Sequence, residues 1–162
     1  MKKMTMAAFA AAAFMAFSCS NDDSTPDVPL QGKWKLISVT SNRAFDGNGD
    51  GTPSTDILTE LGSCYTDSYV EFGNINTIKT VTSTIPSEGT NCVTATDEGT
   101  YKFTPYNVQT TFVHDGIKTH TNYAKTGNLI TLSVPALREI EVTVDGEIRH
   151  VAIDAKMVFR KE

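Results

Sequence analysis

The sequence predicts an all-β fold, a small antiparallel up-and-down barrel of about eight or nine strands with one short helix in the loop after the first strand. Apolar and polar residues alternate with period two through most of the chain after residue 34. Turn signals separate these runs, and only residues 41–66 escape the pattern. Roughly 130 residues are available for the fold, a length that suits one domain with a single core.

Nine alternating runs are expected to be strands: residues 34–39, 68–72, 77–84, 99–104, 107–114, 117–124, 128–134, 138–144 and 147–159. The long segment after the first run holds the predicted helix, residues 55–61. Ser54 is placed to cap its N-terminus, and Gly62 is placed to end it.

Two pairs, Asp115-Gly116 and Asp145-Gly146, are typical of two-residue hairpin turns. Further turns are expected at residues 73–76, 105–106 and 125–128, which hold Gly, Pro or Asn. Consecutive hairpins make an antiparallel meander, and in the last three runs the apolar side chains share one face. Closing such a sheet into a barrel buries that face and removes exposed edges.

Residues 1–18 have the composition of a lipoprotein signal peptide. Two lysines precede an uncharged apolar stretch, residues 4–17, which is too short to cross a bilayer as a helix. Ser18 before Cys19 resembles a bacterial lipobox, which implies that the Cys19 thiol is lipidated and becomes the mature N-terminus. The alternative is ordinary cleavage after Ser18, which leaves Cys19 a free thiol.

Residues 19–31 are predicted to be a disordered acidic tether, because they are rich in Ser, Asp and Pro and lack hydrophobic periodicity. Residues 20–23, SNDD, resemble the surface-export signal of Bacteroidetes lipoproteins. The resemblance implies an outer-membrane lipoprotein on the cell surface, with the periplasmic leaflet as the alternative.

The three cysteines make an odd number, which fits lipidation of Cys19 and a disulfide between Cys64 and Cys92. In an oxidising compartment this bond would stabilise the fold by roughly 3 to 4 kcal/mol on the chain-entropy model. The alternative is a pair of unbonded core residues.

Gly32-Lys33-Trp34, at the start of the first strand, and the order of strand, loop, short helix and hairpins resemble lipocalin-like domains of Bacteroidetes lipoproteins. The resemblance spans roughly residues 30–162, and the lipocalin-like domain is predicted to cover residues 32–162. It implies that Trp34 closes one end of the barrel beneath Arg160 of the last strand, an arrangement that a cation–π contact would favour. Plain core packing of Trp34 is the alternative.

The stretch DGNGDGTPSTD, residues 46–56, has the oxygen spacing of an EF-hand-type calcium loop. Position 12 of such a loop is Ile57, so a nearby Asp must replace the usual Glu, and calcium affinity should be weak, on the order of 10⁻⁴ to 10⁻³ M. A Gly-rich turn with solvated acids is the alternative. The expected ligands are Asp46, Asn48, Asp50, Thr52 and Asp56.

Charge and motifs exclude several function classes. Removal of residues 1–18 takes away two lysines, which leaves 12 basic and 19 acidic residues and a net charge of −7. Nucleic acid is therefore not an expected partner. No catalytic motif is present, and His114 and His120 are offset across their predicted hairpin, so we expect no enzyme.

Two hypotheses from different classes remain. The first is a lipid-tethered, lipocalin-like protein that binds a small apolar ligand in its barrel, with residues 41–66 as a lid. The second is a surface interaction or assembly subunit with a filled barrel, which contacts a protein or glycan. The sequence identifies no ligand-binding residues for either hypothesis.

Overall fold

The computed structural model describes residues 28–84, 91–104, 107–144 and 147–162. The predicted signal peptide, Cys19, most of the predicted tether and the turns at residues 105–106 and 145–146 lie outside the described residues. Among the residues it does describe, no helix is long and apolar enough to cross a membrane.

The fold is a closed antiparallel barrel, which confirms the predicted class. Eight strands form the wall in sequence order, and pairing of the first with the last closes it. The short β2 is an addition that pairs with the second half of β1. The strands are β1 (Gly32–Phe45), β2 (Ser54–Asp56), β3 (Tyr69–Phe72), β4 (Thr77–Thr84), β5 (Val93–Phe103), β6 (Val108–His114), β7 (Ile117–Thr126), β8 (Leu129–Val144) and β9 (Glu147–Lys161).

The predicted helix exists but begins later than expected. Helix α1 covers Ile57–Leu61, and its N-cap is Asp56 rather than Ser54. The Asp56 carboxylate accepts the N–H of Leu58, which satisfies one of the free donors at the helix start. Gly62, with φ of 82°, ends the helix as predicted, and the 3-10 helix Ser63–Asp67 follows.

Three strand boundaries differ from the prediction. β1 continues past the predicted end at residue 39 to Phe45, because its largely polar second half pairs with β9 and β2. Two predicted strands are one, β8, with a register irregularity between Val134 and Arg138. β5 starts at Val93 instead of residue 99, in a stretch that is largely exposed.

Aromatic side chains fill one half of the barrel interior. Phe72 meets Tyr101 edge to face at 5.1 Å between ring centroids and meets Tyr123 in the same way at 6.1 Å. Tyr123 in turn contacts Phe159 at 6.3 Å. The Tyr101 hydroxyl donates to the carbonyl of Gly73, so this packing also fixes the β3–β4 turn.

Candidate ligand cavity

The aromatic half of the barrel is closed at its end by Trp34, which is 0% exposed. The indole N–H of Trp34 donates to the carbonyl of Leu30 at 2.7 Å. The cation over its ring is Lys161, with Nζ at 5.2 Å from the ring centroid, and not Arg160 as predicted. Register explains the difference: Trp34 pairs directly with Lys161, so the two share a face, whereas Arg160 pairs with Lys35 and is exposed.

Lys161 also fastens the segment that precedes β1. Its ammonium group donates to the carbonyls of Pro29, Leu30 and Gln31. Desolvation lowers the pKa of Lys161, and the charge of Lys125 lowers it further. Leu30 is buried in the core, so the end of the segment predicted to be a tether packs against the barrel.

The other half of the interior contains a cavity of about 270 Å³. Its floor includes Tyr123 and Phe159, the edge of the aromatic cluster. In this half, small side chains with hydroxyl groups occupy inward positions, whereas aromatic rings occupy them in the other half. Because the hydroxyl side chains are smaller than the rings, they leave the cavity open. The lining residues are Leu36, Tyr65, Ser68, Tyr69, Val70, Thr80, Val81, Thr82, Asp97, Phe112, His114, Thr119, Thr121, Tyr123, Leu132, Met157 and Phe159.

The rim beyond this cavity is open along β5, β6 and β7. Val93 is 49% exposed and Ile117 is 69% exposed, although alternation places both on the inward face of their strands. Asp97 lies deeper on β5 than Val93, and His114 pairs directly with Ile117 at the rim. The Oδ1 of Asp97 and the Nε2 of His114 are 3.6 Å apart. Apolar side chains at an uncovered rim, beside a polar pair, indicate an entrance.

Of the segment predicted to be a lid, Tyr65 lines the cavity. It lies in the 3-10 helix next to Cys64, which forms the predicted disulfide with Cys92. Cys64 is buried and Cys92 is exposed just before β5. The bond therefore ties the 3-10 helix to the strand that carries Asp97.

Two phenols at the cavity are held in their neutral form. Burial raises the pKa of Tyr123 far above its usual value, and no opposing charge offsets this effect. Burial also raises the pKa of Tyr65, with a smaller opposing effect from Arg138. At neutral pH both side chains present uncharged, partly apolar surfaces to the cavity.

The Asp-rich loop is organised around Asp46, outside the barrel. One carboxylate oxygen of Asp46 accepts the N–H groups of Gly49 and Asp50 at 2.8 and 3.1 Å, and the other accepts that of Gly51 at 2.8 Å. The Asn48 amide donates to the Asp50 carboxylate at 3.1 Å. The structure thus brings three of the five predicted calcium ligands together.

The remaining two expected ligands are placed differently. Thr52 adjoins the cluster, and its N–H donates to Asp50 at 2.7 Å. Both carboxylate oxygens of Asp56 are engaged at the start of α1, by the N–H of Leu58 and the hydroxyl of Thr59. The role of Asp56 in the structure is therefore helix capping.

A residue that the sequence analysis did not select, Glu60, reaches the loop instead. It is 2% exposed, and its Oε2 accepts the N–H of Gly47 at 2.8 Å. It lies three positions after the buried Ile57 on α1, so the two share one face of the helix, and this spacing is the signal that the sequence offers. Within the described residues, no group of three or more His, Cys, Asp or Glu side chains is arranged to hold a metal ion. Calcium binding stays a prediction.

The histidines of the β6–β7 hairpin do not meet. His114 pairs with Ile117 and His120 pairs with Thr111, as predicted, so alternation places the two imidazoles on opposite faces of the sheet. His120 shares a hydrogen bond of 3.0 Å with the Thr111 hydroxyl.

Comparison of the chain with protein-family models, with curated proteins and with solved structures finds no match.

Proposed function

We propose that this protein is a lipid-anchored, lipocalin-like binding protein of the outer membrane, exposed at the cell surface, that holds a small and mainly apolar molecule in its barrel. The observation that carries the proposal is the interior cavity, whose floor includes Tyr123 and Phe159 of the aromatic cluster and which opens toward an apolar rim. Anchoring through Cys19 and export to the surface rest on the sequence pattern of the N-terminal residues.

The size of the cavity limits the ligand. A volume of about 270 Å³ corresponds to about nine positions of the size of a water molecule, each taking roughly 30 Å³. That space suits a molecule of about nine heavy atoms. The cavity also favours ligand binding over the alternative hypothesis of a surface interaction subunit, because that hypothesis expected a filled barrel.

A series of straight-chain alcohols tests the proposal by calorimetry. Each buried methylene contributes about 0.8 kcal/mol, so Kd should fall about fourfold for each added carbon. The fall should stop near eight carbons, where the cavity is full. Adsorption to the outer surface would give no such break, and absence of binding across the whole series would refute the proposal.

A matched pair of variants locates the binding. Thr121→Phe places a ring in the cavity and should weaken octanol binding at least tenfold. Asn122→Phe adds the same ring one residue later, where the side chain is exposed on the outer face, and should leave octanol binding unchanged. Native mass spectrometry of protein purified from its own host would then identify a retained ligand.

A further inference from the structure

The cavity has one charged group at its entrance, and this group indicates the chemistry of the ligand's polar end. Among the described residues that line the cavity, Asp97 is the only carboxylate, and no Lys or Arg accompanies it. Its pairing with His114, at 3.6 Å, leaves the Asp97 side chain 45% exposed. A carboxylate in this position keeps its hydration only while the entrance is open.

A ligand seated in the cavity would cover part of Asp97 and remove some of its water. Loss of hydration around a carboxylate is unfavourable unless a donor or a positive charge replaces the water. Thr80 pairs directly with Asp97 across β4 and β5, and Thr119 lies on the neighbouring inward face. These hydroxyls can accept hydrogen bonds alongside the carboxylate.

We propose that the barrel selects small amphiphiles with a cationic, hydrogen-bond-donating head, such as a primary alkylammonium, and seats that head against Asp97. The apolar tail lies deeper in the cavity, against side chains that include Phe112, Leu132 and Met157. The net charge of the whole chain, −5, favours the approach of such a ligand. This inference rests on the proposed function, because it assumes that the cavity is the binding site.

The test compares three ligands with one tail and different heads: octylammonium, 1-octanol and octanoate. A half-exposed ion pair gives a modest gain, so octylammonium should bind about fivefold tighter than octanol at low ionic strength. Octanoate should bind more weakly than octanol, because two carboxylates repel each other. The preference for ammonium should shrink at high salt.

Two isosteric variants isolate the role of Asp97. Asp97→Asn should remove the preference for octylammonium over octanol, because the carboxamide carries no charge. Glu98→Gln makes the same change in net charge one residue later, on the outer face of β5 opposite Lys79, and should keep the preference. Thermal unfolding of both variants checks that each is folded.

The outcomes separate the two proposals. If no octyl compound binds, the proposed function fails. If all three bind with equal affinity, or octanoate binds best, the cavity is a binding site but the cationic head is refuted. A preference for ammonium that Glu98→Gln abolishes as fully as Asp97→Asn would show a general charge effect, which also overturns the role of Asp97.

Discussion

The disulfide allows a quantitative test of how the cavity wall is held. Cys64 and Cys92 are separated by 28 positions in the sequence. On the chain-entropy model, closing a loop of this length removes about 12 cal/mol/K from the unfolded chain, or about 3.6 kcal/mol at 25 °C. For a domain of this size, that free energy corresponds to a change in Tm of roughly 12 °C.

Cys92→Ser is the best perturbation because Cys92 is exposed, whereas Cys64 is buried. The substitution breaks the cross-link and leaves the packing around Cys64 in place. Asn91→Ser, at the neighbouring exposed position, is the matched control and should leave Tm within about 1 °C. Thermal unfolding followed by circular dichroism measures all three proteins, with and without a reducing agent.

We expect the reducing agent to lower the Tm of the wild type to that of Cys92→Ser and to leave the variant unchanged. Amide hydrogen exchange should rise first in Ser63–Asp67, because this short helix depends on the bond for its attachment to β5. A Tm change below about 3 °C, or unchanged exchange in that helix, would refute the view that the bond holds the cavity wall.

Four further predictions concern other parts of the fold. Lys161→Met should cost about 1 to 2 kcal/mol in the free energy of unfolding, because it removes the ammonium group that donates to backbone carbonyls and contacts the indole of Trp34. Arg160→Met should cost less than about 0.5 kcal/mol. Denaturant titration of the two variants decides which cation closes the barrel. Asp56→Ala should destabilise the protein by about 1 kcal/mol through loss of the helix cap. If calcium makes this loss of stability larger than about 1 kcal/mol, Asp56 is a calcium ligand after all. Calcium at about 1 mM should raise Tm by at most a few degrees, and magnesium should not raise it. The calcium effect should disappear in Asp46→Asn. If calorimetry detects no calcium binding at several millimolar, the loop is only a turn. Above pH 10, the free energy of unfolding should fall by up to about 1.4 kcal/mol per pH unit, because burial raises the pKa of Tyr123 and the phenol ionises first in the unfolded chain. Tyr123→Phe should flatten this part of the pH profile. An equal slope in both proteins would contradict the assignment of the effect to Tyr123.

Local patterns in the sequence were sufficient to predict the barrel. Alternation and Gly-containing turns depend on neighbouring residues only, and the β6–β7 hairpin at Asp115-Gly116 has the predicted register. The predicted strand boundaries were wrong where the local alternation is interrupted, as at Pro135 within β8. A bulge changes the side-chain alternation without ending the strand, so a continuous strand resembles two short ones.

The cavity could not be predicted from the sequence. Its volume depends on which inward positions of eight strands lie at the same height, and that height is set by the stagger of strand pairing around the barrel. Asp97 illustrates the difficulty, since in the sequence it is one acidic residue in a polar stretch, TATDEGT. Only the pairing of β5 with β4 and β6 places it at the entrance. The prediction that Arg160 covers Trp34 was wrong by one residue for a related reason, because a shift of one position along a strand moves the side chain to the opposite face of the sheet.

The two ends of the barrel differ in a way that decides where the predicted tether leaves the fold. Residues 28–31, the last part of that tether, are fastened at the end that Trp34 seals, whereas the rim of Val93 and Ile117 lies at the opposite end. If Cys19 carries the lipid, the chain from the lipid joins the barrel at its sealed base, at the end opposite the entrance. A ligand of the proposed cavity would then enter the barrel at the end away from the anchor.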